Sequence, residues 1–477
     1  MRGYFRLLED EELRQLGGAA FDLLGRIGMR VEHEEILSAL KKLGCDVDEV
    51  ALHARFPAPV LEETIRHYSE GPVAEFAVPA PTGPFRTWTG GVQPHLLEWP
   101  SGRRRLATEE DLLMLTRMAD ALPDIAAVGL PVVDCGAPQR IEPILSRALV
   151  MKHSRKPFAG SEVLYADNIK YLAELADIET GGKAPHTGVA SCNFVITPLR
   201  LARRACECVV EKFRFEIPFV AGTMPISGLS GPCTVAGTAA LGLAETLGCW
   251  VVARALRPDL PVGGIVASGS LDMRTTRACF ASPEAMLQDL ACCQVAGRLW
   301  GVRGVRTSTN YIDAKTPGIQ ATHEKLLKLL ASFPFTGELG HMNGLLAAGQ
   351  DYCPTQHMLD IEMSQSVARF RRTFAVNAET LALEVIAEVG IGTNRTFLDH
   401  PHTAAHAREE LWMPELFDRT RWRGQEAERD AEHKLLERAE AKWRAALARY
   451  EPPEVAPERL RAIEQVLRRA RREILGE

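Results

Sequence analysis

The sequence predicts an α/β protein built on a (β/α)8 TIM barrel, with a helical extension before it and charged helices after it. Three observations lead there. Pro261–Lys325 reads as one βαβ unit: an apolar run over Pro261–Ser268, a loop with Asp272, Met273 and Arg274, a helix over Ser282–Trp300, and a strand over Val302–Ser308 that empties into the polar Thr309–Lys315. Apolar, β-branched runs then alternate with helical ones from Thr108 onward, at Ile125–Val133, Lys156–Ser161, His186–Cys192, Ile217–Thr223, Val262–Ser268, Val302–Ser308, Phe335–Gly340 and Val385–Gly390. Strands separated by helices in this rhythm pair in parallel and close into a barrel. Finally, no G-x-G-x-x-G turn follows an early strand, so an open dinucleotide-binding sheet, the competing layout, has little support.

Taken in order, the chain opens with a helix over residues 10–28, in which Asp10 is the cap, Leu13, Leu16, Ala20, Leu23, Leu24 and Ile27 recur at helical spacing, and Gly28 is the stop. Glu34–Leu43 is a second helix ending at Gly44, and Phe56–Thr64 a third, started by proline. Glu70–Trp99 is rich in Pro, Gly and Thr and reads as short strands or an irregular loop. These make a 1–107 N-terminal extension, followed by a 108–422 barrel and 423–477 charged C-terminal helices. Within the barrel, helices are expected at Ile141–Lys152, Asn168–Asp177, Pro198–Phe213, Thr234–Leu256, Ser282–Trp300, Gln320–Phe333 and Gln356–Leu383. Thr108-Glu109-Glu110-Asp111 starts the helix before them, and Ser282-Pro283-Glu284 places a cap, a first-turn proline and an acid at a positive helix end. Thr234–Leu256 is dominated by Ala, Gly and Leu, but Glu245 and Arg254 interrupt it, which makes it a buried or interface helix and not a membrane span. Past Trp422, Gln425–Arg449 and Pro457–Leu475 carry narrow apolar stripes, as helices do that lie on a larger body or cross to another subunit.

The 477 residues are 46% hydrophobic and 25% charged with a net charge of −6, ordinary for a globular protein and without a footprint for nucleic acid or an anionic membrane. Met1 leads straight into an acidic helix start instead of a signal-peptide core, so a cytoplasmic location is expected. Eleven cysteines scattered through helices and strands predict no disulfide framework. Their closest groupings, Cys206-x-Cys208 and Cys292-Cys293, lack the spacing of a zinc knuckle, and no metal site is expected.

Several segments together resemble the trimethylamine methyltransferase superfamily, the corrinoid-dependent enzymes that demethylate methylamines and quaternary amines. The resemblance runs to about Trp422. It rests on Arg30–Glu34, Ser101–Arg104 with Ala107–Asp111, Lys156–Gly160, Thr197–Leu199, Gly231–Gly237, Ser270–Arg274, Asp313–Lys315 with Gln320 and Glu324, and Phe397-Leu398 with His402-Thr403, Arg408, Glu410 and Trp412–Pro414. It implies a barrel that holds a small quaternary or tertiary methylamine at the carboxyl ends of its strands. It further implies no cofactor tightly bound by this chain, the methyl acceptor being the cobalt(I) of a corrinoid (cobalamin) supplied by a cognate corrinoid protein. Archaeal trimethylamine enzymes of this kind carry pyrrolysine in the polar strand-end region, whereas Thr307–Ile312 here holds standard residues only. The chain is in this respect similar to the glycine betaine type. Two alternatives stay open: a trimethylamine methyltransferase, and a non-catalytic barrel that binds betaines or scaffolds the corrinoid protein. The Ala/Gly-rich helix and the charged C-terminal helices point to a homo-oligomer.

Chemistry favours the quaternary substrate, because the displaced nitrogen must leave neutral, and a quaternary ammonium does so with no proton donor. Positioning and exclusion of water are then the protein's tasks. In the resemblance, His341 sits where the glycine betaine type places a histidine close to the corrinoid, and it is the candidate catalytic residue, with a strand-end structural histidine as the alternative. Carboxylates and aromatic faces suit a trimethylammonium group, and arginine or backbone N–H suits a carboxylate tail. The substrate-binding candidates follow: Glu162 and Asn193 at the ends of the second and third strands, Asp272 and Arg274 after the fifth, Asn310, Tyr311 and Asp313 after the sixth, Glu338 on the seventh, and Phe397. Bland alternatives stand beside them: an Asp272–Arg274 staple, a capping role for Asp313, a salt bridge for Glu338 and a core place for the aromatic rings.

Overall fold

Local sequence signals set most helix starts. In the computed structural model, which describes residues 5–70, 86–160, 162–182, 189, 192–308, 310–336, 342–392 and 395–477, the Glu109–Ala121 helix opens on a reciprocal capping box. Thr108 Oγ1 accepts from the Asp111 N–H, and the Asp111 carboxylate accepts from the Thr108 N–H at 2.9 Å. Ser282 caps Pro283–Gln294 through the Ala285 N–H at 3.2 Å, and the helix then widens into a looser turn over Val295–Leu299.

The described strands form a parallel α/β arrangement. Cys192–Phe194, Phe219–Thr223, Val262–Val266 and Val305–Thr307 lie side by side in chain order, all parallel, with Ala221 opposite Asn193, Phe219 opposite Val262 and Val266 opposite Thr307. Arg203–Arg214, Val235–Leu256 and Pro283–Gln294 make the crossovers. A second parallel segment joins Thr87–Trp88 to Ile125–Ala127 and continues through a bridge from Val128 to Phe158. Among the described residues these two segments do not close on each other, so the observed class is α/β with parallel crossovers, and the closed eight-stranded ring is not seen.

Several expected elements are corrected. Val385–Gly390 is a helix, Leu383–Val389, since a short apolar run does not by itself separate strand from helix. Phe335 and Thr336 end the Ile319–Thr336 helix, and the remainder of the expected Phe335–Gly340 strand lies outside the described residues. The long Gln356–Leu383 helix is Pro354–Phe370, followed by separate short helices. Of the two readings left open for Glu70–Trp99, Thr87–Trp88 takes the first, a short parallel strand.

The largest apolar cluster spans both the N-terminal helices and the four-stranded segment: Leu13, Leu24 and Met29 pack with Leu247, Trp250 and Val262. Met29–Val31 adds in parallel to Arg200–Leu201, and Glu32 accepts from Arg200 Nε at 2.9 Å. Val235–Leu256 is the one described helix long and apolar enough to cross a membrane, and 83% of its apolar window is buried inside the protein, as expected of a core helix. The C-terminal helices Ala431–Ala448 and Pro457–Ala470 lie on this same body through Leu436, Trp443, Ile463 and Val466. Tyr171 Oη donates to Glu473 at 2.6 Å and Lys152 pairs with Glu464 at 2.5 Å.

Candidate functional site

Parallel strands point their carboxyl ends one way, so the residues that follow them gather at one end of the sheet. Asn193 is buried in the Cys192–Phe194 strand, and its Oδ1 accepts from Lys212 Nζ at 2.8 Å. Lys212 comes from the Arg203–Arg214 helix and is fully buried. Burial pulls its ammonium pKa down to about 8, against the raising pull of Cys208, Cys192 and Glu162. Burial likewise raises the Glu162 carboxyl, opposed by the charge of Lys212, and holds the Cys192 thiol up at about 12. Tyr311 is pushed up to about 12 by burial first and by Glu162 and Cys192 next, so its hydroxyl stays protonated at neutral pH. Lys212 is thus bonded to Asn193 and feels the charge of Glu162, which acts in turn on Tyr311. One acid, half-buried, and one base, fully buried, share this cluster.

Tyr311 is tightly set. Its ring stands 5.5 Å from that of Phe280, tilted by 43°. Behind it, Gly349 has φ +75°, and a Cβ there would overlap the tyrosine ring. Gly349→Ala combines left-handed strain with that overlap and is expected to lower stability in urea by about 2 kcal/mol and to change the near-UV dichroism of the tyrosines. An unaltered unfolding midpoint would mean the ring is not pinned.

The other predicted residues are placed differently. Asp313 accepts from the N–H groups of Phe280 (2.9 Å) and Ala281 (3.1 Å), a loop-capping role. Asp272 accepts from the Arg274 N–H at 2.8 Å and pairs with its guanidinium at 3.3 Å, with the arginine side chain 90% exposed, so the two staple their own loop. Asn310 is half-buried beside Tyr311. Phe397 lies in an exposed stretch, its carbonyl accepting from Thr403 Oγ1 at 2.5 Å. His341 and Glu338 lie outside the described residues. Phe158, on the second expected strand, packs under the Arg147 guanidinium at 4.6 Å.

Sequence reasoning missed Lys212, Phe280 and Lys328. Lys212 follows Cys208 by four residues, on the face that the helix buries, which was the available signal. Lys328 donates to the carbonyls of Phe280 (2.8 Å) and Tyr311 (2.7 Å), a role invisible without the fold.

The chain is similar along most of its length to methylamine and betaine methyltransferases. A trimethylamine methyltransferase of Desulfitobacterium hafniense is 27% identical over 430 residues, covering 86% of this chain and 83% of that protein. A glycine betaine methyltransferase of Desulfitobacterium hafniense is 25% identical over 471 residues, 95% of both chains. The trimethylamine methyltransferase of Methanosarcina barkeri is 26% identical over 417 residues, 83% of both. Among solved structures, the monomethylamine methyltransferase of Methanosarcina barkeri aligns with a TM-score of 0.48 at 13% identity, over 93% of this chain and 96% of that one. The family described as trimethylamine methyltransferase (MTTB) matches residues 2–475, and this chain belongs to it.

Proposed function

We propose that this chain moves a methyl group from a quaternary, betaine-type amine to a corrinoid carried by a partner protein. The observation that carries the reading is the fully buried Lys212, whose Nζ donates to Asn193 Oδ1 at 2.8 Å in the strand, with the half-buried Glu162 carboxyl acting on it through its charge. A betaine is a zwitterion, and its two ends match these two groups: ammonium to Glu162, carboxylate to Lys212. Trimethylamine has no anionic end to set against Lys212. It would also need a proton before it could depart, which a quaternary nitrogen does not. Burial of Asn193 and Lys212 strengthens the electrostatics at that end of the cluster.

Bound in a partner, the corrinoid would supply the nucleophile that accepts the methyl group. The residues around the strand ends fit such a docking: Leu164, Ile196, Leu229 and Met273, each following a parallel strand, are large, apolar and exposed. The chain's own contribution is to orient the ammonium so that one N-methyl faces outward, with Glu162 and the Tyr311 ring behind it.

The test mixes the protein with a reduced corrinoid protein and a panel of betaines, choline and trimethylamine while the cobalt(I) absorbance is followed. Loss of that signal with a betaine, and not with trimethylamine, is the expected result; silence with every compound would leave a non-catalytic binding barrel. In the same assay His341→Ala is expected to lower methyl transfer by about 10-fold or more, the scale of a lost acid–base or hydrogen-bonding group, with unfolding unchanged. Turnover at the wild-type rate would remove His341 from the site.

A further inference from the structure

The Ile319–Thr336 helix presents Glu324 and Lys328 one turn apart on a single face. Glu324 accepts from the N–H groups of Asp313 (2.8 Å) and Ala314 (3.0 Å). Lys328 Nζ, buried, donates to the carbonyls of Phe280 and Tyr311. Asp313 in turn holds the Phe280 and Ala281 N–H groups. Phe280 is therefore gripped at both its N–H and its carbonyl, and Tyr311 at its carbonyl, by groups anchored on one helix.

Burying an ammonium this deeply costs several kcal/mol before compensation, and the charge of the buried Asp289, whose own carboxyl pKa is raised by burial, opposes that cost. Two neutral carbonyls alone would be satisfied as well by smaller, cheaper donors. What the lysine adds is reach: one atom spans two separate strand-end loops and fixes their rings relative to each other. Phe280 itself is 9% exposed, and its ring stands against that of Tyr311.

We propose that Phe280 and Tyr311 form a preset aromatic wall against which a quaternary ammonium seats, and that Lys328 is the positioning residue that fixes both rings through their carbonyls. The ligand half rests on the quaternary-amine reading above; the clamp does not. Trimethylammonium groups seat on aromatic faces held at a fixed angle, and such rings add affinity chiefly when they need no reordering on binding.

Two measurements test it on the full chain. In hydrogen exchange, Lys328→Met is expected to speed exchange of the Phe280, Ala281, Asp313 and Ala314 amides at least about 10-fold while the Val235–Leu256 helix keeps its protection. Lys328→Gln, which keeps a shorter donor, serves if the methionine variant does not fold. Unchanged exchange at these four amides, or a uniform rise through the whole protein, would overturn the clamp. In calorimetric titration with glycine betaine, Phe280→Leu and Lys328→Met are each expected to raise Kd about 5- to 10-fold. Adding Lys328→Met to Tyr311→Leu is expected to raise it by clearly less, because the held ring is gone. Full additivity, or an unchanged Kd in Phe280→Leu, would overturn the aromatic wall. No binding of glycine betaine, choline or tetramethylammonium by the wild type would sink the quaternary-amine reading and the wall with it, leaving exchange to decide the clamp.

Discussion

Replacing Lys325 by methionine is expected to destabilise the protein by about 3–5 kcal/mol, the cost of leaving one partner of a buried ion pair alone. Lys325 on the Ile319–Thr336 helix and Asp360 on Pro354–Phe370 pair with both side chains fully buried. Asp360 also accepts from the Gly344 N–H and from Gln356 Nε2, each at 2.7 Å, so it joins two helices to the turn before Leu345–Leu346. Without the ammonium, those two neutral donors remain to solvate a desolvated carboxylate, which is too few. The double variant Lys325→Met with Asp360→Asn removes the stranded charge and is expected to recover part of the loss. Urea unfolding followed by far-UV dichroism measures both. A loss under about 1 kcal/mol in the single variant would show that the pair is no net support.

Glu162→Gln is expected to have the largest effect on catalysis. Two unit charges about 5 Å apart at an effective dielectric near 20 attract by roughly 3 kcal/mol, so losing the carboxylate is expected to lower kcat/KM for a betaine about 100-fold. The sign of the pH dependence follows from burial, which raises the Glu162 pKa. The carboxylate is present above that raised value and is neutralised as pH falls through it. Wild-type kcat/KM for a cationic substrate should therefore begin to decline on the acid side at a higher pH than for an ordinary carboxylate, and the glutamine variant should lack that limb. A glutamine variant within twofold of wild type, with the limb intact, would assign the titration elsewhere.

Both predictions concern charges whose burial local sequence does not announce. The chain's own signals did announce other things. Thr108 with Asp111 and Ser282 with Pro283 marked helix starts that the structure keeps, because capping is settled within one turn. The stripe of Leu435, Leu436, Ala439, Trp443, Ala446 and Leu447 marked the inward face of a helix that is otherwise charged, with Leu435 and Leu447 half-buried at its margins. Periodicity failed where elements are short. Two residues, Thr87–Trp88, are too few to show alternation, and Leu383–Val389 packs apolar and acidic residues in a pattern that serves strand and helix equally until the backbone is seen.

At the site the division is similar. Strand-end logic picked Glu162, Asn193 and Tyr311, and equally picked Asp272 and Arg274, which bind their own loop, and Asp313, which holds the Phe280–Ala281 loop. Residue type and position after a strand could not separate the two groups, since the outcome depends on which neighbour each side chain meets across the sheet.

By itself, then, the order of residues determined the α/β alternation, the helix caps and the family resemblance, all of which are written over short spans of chain. Only the tertiary structure decided that Lys212, Lys325 and Lys328 would lie inside, and that Tyr311 would stand against Phe280 in front of Gly349. The reason is that desolvation and ring contact are set by groups distant in sequence: Asp360 for Lys325, Asn193 for Lys212, and two loop carbonyls for Lys328.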